Sequence, residues 1–263
     1  MTNEQNPDNK IIIEGVEYTK QELDEYLKEL LKPTPAVQIV NPIVQPTGEL
    51  SFVTDENLYK EIIKYLDKTF PTQESNLSQK LKFENSVMKS SNPYIAVGVD
   101  MFLKSINFQY RIATQKDLET NFQMFKGFYE DSGLALRSLE EPNSSQAEHL
   151  YKQLKLRNPN IKFPIFINLR DLELDANLNF NLTNESQYKT ADCLNWKDGE
   201  KYSKVDEFGL PKEINKNSSR RIWTKNSGLA GTYLDGSLDF AAIDKGLSDS
   251  ADNCKVVLAR VGK

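Results

Sequence analysis

Asp171, Glu173 and Asp175 are carboxylates at alternate positions, a spacing that can do chemistry. On a β-strand, positions i and i+2 share a face roughly 6.5–7 Å apart. At that separation two carboxylates can serve as acid and base on a glycosidic bond, or hold a hard cation through oxygen. The competing reading is the wet face of an antiparallel sheet, because the row continues as Asn177, Asn179 and Asn181. A second acidic set, Asp235, Asp239, Asp244, Asp249 and Asp252, falls in the tract 231–253. It lacks the Asp-x-Asp-x-Asp-Gly spacing of a calcium loop and reads as a connection built on Asx turns. Lys216, Arg220, Arg221 and Lys225 surround Trp223. That grouping either stacks on and pairs with an anionic or aromatic ligand, or forms a strand edge with Trp223 in the core.

Residue counts remove several large enzyme classes. The chain has one histidine, His149, and two cysteines, Cys193 and Cys254, so a histidine-based zinc site or a Cys-x-x-Cys cluster cannot be assembled. A hydrolytic triad would need His149 as its base, but Ser145-Gln-Ala-Glu-His149 reads as the opening turns of an amphipathic helix. The two cysteines read as small buried fillers rather than a disulfide. No glycine-rich dinucleotide motif, phosphate-binding loop or Gly-x-Ser-x-Gly elbow occurs. A formal net charge of -5, with 33 basic against 38 acidic residues, disfavours nucleic acid as a partner. No apolar run is long enough for a membrane span, and residues 1–10 lack the apolar core of a signal peptide. The expected location is the cytoplasm or a cytoplasmically assembled particle.

The elements that would position these groups follow from periodicity. Ile11–Ile13 is a short apolar run, and Thr19-Lys-Gln-Glu22 is a capping box that predicts a helix striped by Leu23, Tyr26, Leu27, Leu30 and Leu31. Pro33, Pro35, Pro42 and Pro46 then punctuate Val37, Ile39, Val40, Ile43 and Val44, an extended arm whose apolar side chains need a surface to lie on. A helix is predicted from about Asp55 to Phe70, and another over 74–89. Asn92-Pro93 breaks the pattern, which places a domain boundary near residue 92. Beyond it, 94–108 is a strand or buried helix, and helices open at Thr114 and Ser145. The apolar parity of Ile165, Ile167 and Leu169 passes to Leu172, Leu174, Ala176, Leu178, Phe180 and Leu182. A bulge, bend or turn must therefore lie at Arg170-Asp171, with a second turn near Asp175–Asn177. Val256–Ala259 closes the sequence as a buried strand.

Three segments in order, Arg111-Ile-Ala-Thr-Gln-Lys-Asp-Leu118, Arg221-Ile-Trp-Thr224 and Cys254-Lys-Val-Val-Leu-Ala-Arg260, resemble C-type-lectin-like domains. The likeness is to the type found in formylglycine-generating enzymes and phage tropism determinants. It covers about residues 94–263 and implies a mixed α/β fold with a loop-rich ligand surface before the last strand. Ala113 stands where that family tends to have Pro, and the family's catalytic cysteines are missing, so fold and binding alone are implied.

The sequence thus predicts an α+β protein: a helical N-terminal module with an extended Pro-rich arm over residues 1–92, then a mixed α/β domain with an antiparallel sheet over 93–263. The functional expectation is a non-enzymatic interaction protein without cofactor or metal, a subunit of a virion, tail or surface structure. Its contacts to other protein subunits, in a homo- or hetero-oligomer, would run through Leu23, Leu27, Leu30, Val37, Ile39 and Ile43. The alternative is a carbohydrate- or ligand-binding module using Trp223, Tyr233, Asp235 and Asp239. A glycoside hydrolase built on Asp171, Glu173 or Asp175 comes third.

Overall fold

The structure, a computed structural model, describes residues 11–13, 16–18, 50–71, 76–243 and 246–261. The chain divides into two units, Met1–Pro42 and Ile43–Lys263. In the smaller unit, β1 (Ile11–Ile13) and β2 (Val16–Tyr18) form an antiparallel hairpin, Ile13 opposite Val16. The expected helix from Thr19, with Leu23, Leu27 and Leu30, and the arm residues Val37, Ile39 and Ile43 lie outside the described residues.

In the larger unit, β3 (Leu50–Phe52) leads to α1 (Glu56–Thr69). Asp55 caps this helix by accepting the amides of Asn57 and Leu58 at 2.7 and 3.4 Å, which satisfies two of its orphan donors. The helix expected over 74–89 is corrected. Among the described residues of that span only α2 (Leu77–Lys80) is helical, and β4 (Lys82–Glu84) pairs with β5 (Val87–Lys89) across a tight turn. Asn85 and Ser86 both take positive φ there, the conformation a two-residue hairpin turn requires. Asn92-Pro93 opens α3 (Pro93–Ser105) rather than breaking the chain: Asn92 Oδ1 accepts the Ile95 amide at 2.9 Å, and Pro93 sits where a missing N–H costs nothing. After β6 (Tyr110–Ile112), α4 (Gln115–Thr120) starts in the expected capping box, with Thr114 and Asp117 exchanging bonds.

The remaining elements are β7 (Tyr129–Leu136), α5 (Ser144–Arg157), β8 (Ile165–Asn168), β9 (Leu172–Leu174), β10 (Phe180–Leu182), β11 (Tyr188–Thr190), β12 (Ile222–Thr224), β13 (Leu229–Leu234), β14 (Phe240–Ala242), β15 (Cys254–Lys255) and β16 (Val257–Arg260). A nine-stranded mixed sheet runs β12-β14-β13-β7-β15-β5-β4, and β7 also pairs with β8, which carries β11. β16 lies between β3 and β6 in a second sheet. β9 and β10 form a separate hairpin. A 3-10 turn at Leu169–Asp171 separates β8 from β9 and produces the parity change the sequence requires.

The boundary expected near residue 92 is corrected by these pairings. β3 bonds to β16 and β5 to β15, so residues 50–92 are built into the same unit as the end of the chain. Two apolar cores flank the large sheet. Ile165 and Ile167 enter one, with α1, α3 and α5, while Phe166 enters the other, with Phe125, Ile222 and Phe240. The strand is thus buried on both faces, as a continuous Ile-Phe-Ile run allows.

Candidate functional site

Strand register brings the two aromatic candidates into one line. Trp223 pairs with Ala241, Ala241 with Tyr233, and Tyr233 with Asp131. Paired residues point to one side of a sheet, so Trp223, Tyr233 and Asp131 share a face, the two aromatic Cα atoms two strand spacings or about 10 Å apart. Trp223 is half-buried, and the exposed Arg221 holds its guanidinium 5.8 Å from the indole ring. This end of the row presents a π-face and a cation together.

The two aspartates beside it are occupied by the fold. Asp239, 6 % exposed, accepts the Arg221 amide at 2.7 Å and the Trp223 indole N–H at 2.9 Å. Asp235 Oδ1 accepts the amides of Ser237 and Asp239 at 2.8 and 3.0 Å, an Asx turn that closes the β13–β14 connection. Tyr233 is buried against Tyr129, ring centroids 5.8 Å apart. Burial raises its hydroxyl above the ordinary tyrosine range, with the nearby Tyr129 and acidic groups adding to the shift. Pro93, Asp131, Gly231, Tyr233, Leu247 and Asp249 line a cleft of about 20 Å³, the space of one water molecule. Next to this cleft, Cys254 Sγ donates to Asp131 Oδ2 at 3.1 Å. Burial drives this thiol well above its usual range and Asp131 pushes it the same way, which removes it as a nucleophile at neutral pH.

The acidic row at 171–175 does not form, because its members occupy three different environments. Asp171 lies in the buried 3-10 turn, where desolvation pushes its carboxyl up to about 6 against the pull of Arg170. Glu173 is exposed on β9. Asp175 closes the β9–β10 turn, accepting the Asn177 and Asn179 amides at 2.8 and 2.9 Å. Of the Asn row, Asn177 is exposed, whereas Asn179 and Asn181 are partly buried against α5. Asn179 Oδ1 accepts from Gln146, and Asn181 Oδ1 contacts His149 Nε2 at 3.0 Å and accepts from Gln153.

Those helix residues have a role that sequence reasoning missed. Gln146 accepts the Phe180 amide at 3.2 Å and donates to Leu178 O; Gln153 accepts the Leu182 amide at 2.8 Å and donates to Phe180 O. Arg157 donates to the carbonyls of Leu182 and Thr183. Side chains of α5 at i, i+7 and i+11 therefore bond the backbone of β10 as a neighbouring strand would, which covers a sheet edge. The i, i+7 spacing of the two glutamines is the one signal of this in the sequence, and His149 between them is part of the same interface.

In the basic cluster, Arg220 is committed internally. It pairs with Glu119 through two bonds of 2.6 and 2.7 Å and lies 4.6 Å from the ring centroids of Phe122 and Tyr202. Lys216, Arg221 and Lys225 remain at the surface. Cys193 and Cys254 are both buried free thiols. Among the described residues no group of three or more His, Cys, Asp or Glu is placed to hold a metal ion, and no helix is long and apolar enough to cross a membrane. The chain matches no protein-family model, no curated protein and no solved structure.

Proposed function

We propose that the protein is a non-enzymatic interaction protein, a subunit of a larger assembly such as a virion, tail or surface structure, which contacts neighbouring subunits through the stripe of Leu23, Leu27 and Leu30 and the Pro-rich arm of residues 33–48. The observation that carries this reading is the division of the chain at Pro42. A unit near 40 residues rarely closes a sufficient core alone and usually depends on disulfides, a metal or a partner. Met1–Pro42 contains neither cysteine nor histidine, so neither a disulfide nor a Cys/His metal site is open to it, which favours a partner surface. Leu23, Leu27 and Leu30 on a helical period, with Val37, Ile39 and Ile43 on the arm, supply apolar side chains for it. The test is Leu27→Asp combined with Leu30→Asp in the full chain. The assembly reading expects a lower mass in solution with an unchanged circular dichroism spectrum; an unchanged mass removes these residues from the contact.

One observation favours a second reading, a carbohydrate- or ligand-binding module of C-type-lectin-like type. Trp223 and Arg221 together offer a stacking platform at the edge of the sheet. The segments on which that resemblance rests become β6 with α4, β12, and β15 with β16. A glycan array that stays blank with and without calcium excludes it.

A further inference from the structure

Two cations face each other at the outer edge of β12. Tyr202 N–H donates to Arg220 O at 3.1 Å and Ile222 N–H donates to Glu200 O at 2.9 Å. These bonds bracket the antiparallel bridge between Lys201 and Arg221, which makes the two residues a non-hydrogen-bonded pair. That register brings opposite Cα atoms to about 4.5 Å and sets both side chains on one face. Like charges directly opposite in such a pair are destabilising.

No carboxylate is paired with either cation. The Lys201 side chain makes no ion pair or hydrogen bond, and that of Arg221 engages only the Trp223 ring. Asp239, beside Arg221, spends its two oxygens on the Arg221 amide and the Trp223 indole N–H. The nearby Lys204, by contrast, is matched with Glu213 at 2.7 Å. Trp223 is two residues along β12 from Arg221 and shares its face. Its six-membered ring lies against Gly199, where a Cβ would meet Cζ3 at 3.7 Å and φ is +82°, so that position adds no side chain over the indole. The stretch 197–225 has eight basic against five acidic residues in a chain of formal net charge -5. Positive charge is concentrated around this face.

We propose, resting on the ligand-binding reading above, that Trp223, Arg221 and Lys201 bind an acidic glycan. The C–H face of one sugar ring lies on the indole, and carboxylates or sulfates of that sugar and its neighbour pair with the guanidinium and the ammonium. The planar fork of Arg221 matches either anion through two bonds, and the bound anion offsets the repulsion between the cations. A nucleic acid, with a phosphate at each nucleotide, fits less well because it would run on from this stretch over the acidic remainder of the chain.

The experiment is calorimetric titration of the full chain at low salt with polygalacturonate, heparin, neutral dextran and single-stranded oligothymidylate, the first two separating carboxylate from sulfate. The expected result is binding of an acidic glycan in preference to dextran, weakened about tenfold or more in Lys201→Gln and in Arg221→Gln. The free Lys201→Gln chain should melt no lower than the native one, because a like-charge contact has been removed. Dextran binding as tight as that of the acidic glycans, or acidic binding unchanged in both variants, overturns the proposal and leaves the ligand-binding reading standing. Tighter binding of oligothymidylate than of any glycan overturns it in favour of nucleic acid. A lower melting temperature in Lys201→Gln makes Lys201 a structural residue and also overturns it. No binding of any glycan removes the proposal and the reading together.

Discussion

The Trp223 indole N–H and the Arg221 amide converge on the two oxygens of one carboxylate, that of Asp239, at 2.9 and 2.7 Å. Both oxygens of a buried acid are thereby spent on joining β12 to the turn before β14. The same bonds fix the orientation of the half-exposed indole, so the geometry of the Trp223–Arg221 platform depends on Asp239.

Asp239→Ala removes both acceptors at once. Each such bond to a charged group contributes about 1.5–3 kcal/mol, and the Arg221 partner is an exposed residue, so the expected loss is about 2 kcal/mol in total. Urea unfolding measures it, and the native tryptophan emission should shift to the red as the indole gains solvent. Unaltered stability and emission would mean that Trp223 is held by its packing alone.

Asp171 makes stability depend on pH with a definite sign. Burial raises its folded pKa from 3.8 to about 6, so the folded state favours the neutral acid. The group costs nothing below about pH 4. The cost grows as pH rises from 4 to 6 and is complete above 6, with a ceiling of about 3 kcal/mol for a shift of this size. Asp171→Asn should therefore stabilise the protein at pH 7.5 and give no gain at pH 4. Guanidinium melts of both chains at the two pH values check this; a variant that loses stability at pH 7.5 reverses the sign.

Gln153 is the most directly engaged member of the α5 edge cover, with its Oε1 on the Leu182 amide at 2.8 Å and its Nε2 on Phe180 O at 3.2 Å. Gln153→Ala should raise hydrogen exchange at the Leu182 amide roughly tenfold, equivalent to about 1.4 kcal/mol of local stability, while leaving strands β13 and β14 unaffected. Exchange that is equal in both chains would assign the protection of β10 to its pairing with β9.

Gly133 tests the tightest approach in the large sheet. A Cβ at this position would run into Phe166 Cε2 and lie 2.7 Å from Ile167 O, and the backbone oxygen cannot move aside without disturbing the β7–β8 pairing. Gly133→Ala is expected to cost about 1–3 kcal/mol, the range for overpacking a dense core. Chemical denaturation reads the loss, and a neutral substitution would show that β7 and β8 sit further apart.

Elements with local signals are legible in the sequence. Asp55 and Thr114 announce helices that the structure caps through those same side chains, and the change of apolar parity at Arg170 requires the 3-10 turn found there. Over 74–89 the signal is ambiguous. The apolar positions Leu77, Leu81, Val87 and Met88 suit one longer helix, but their spacing also fits a short helix followed by two strands. The turn chemistry of Asn85 and Ser86, whose φ values are positive, decides for the hairpin.

The candidate site is less legible. Asp239 and Gln153 owe their roles to Trp223 and Leu182, partners that only the folded chain brings near them. Burial of a charged side chain leaves no periodic mark in a sequence.

The most direct test of the assembly reading is absolute mass by light scattering at two concentrations, for the full chain and for a chain beginning at Leu50, the first residue of β3, with circular dichroism to confirm that the shorter chain is folded. The expected result is a defined oligomer for the full chain and a folded monomer for the shorter one. Equal association states for the two folded chains would contradict the assignment of subunit contacts to the Leu23, Leu27 and Leu30 stripe and the arm.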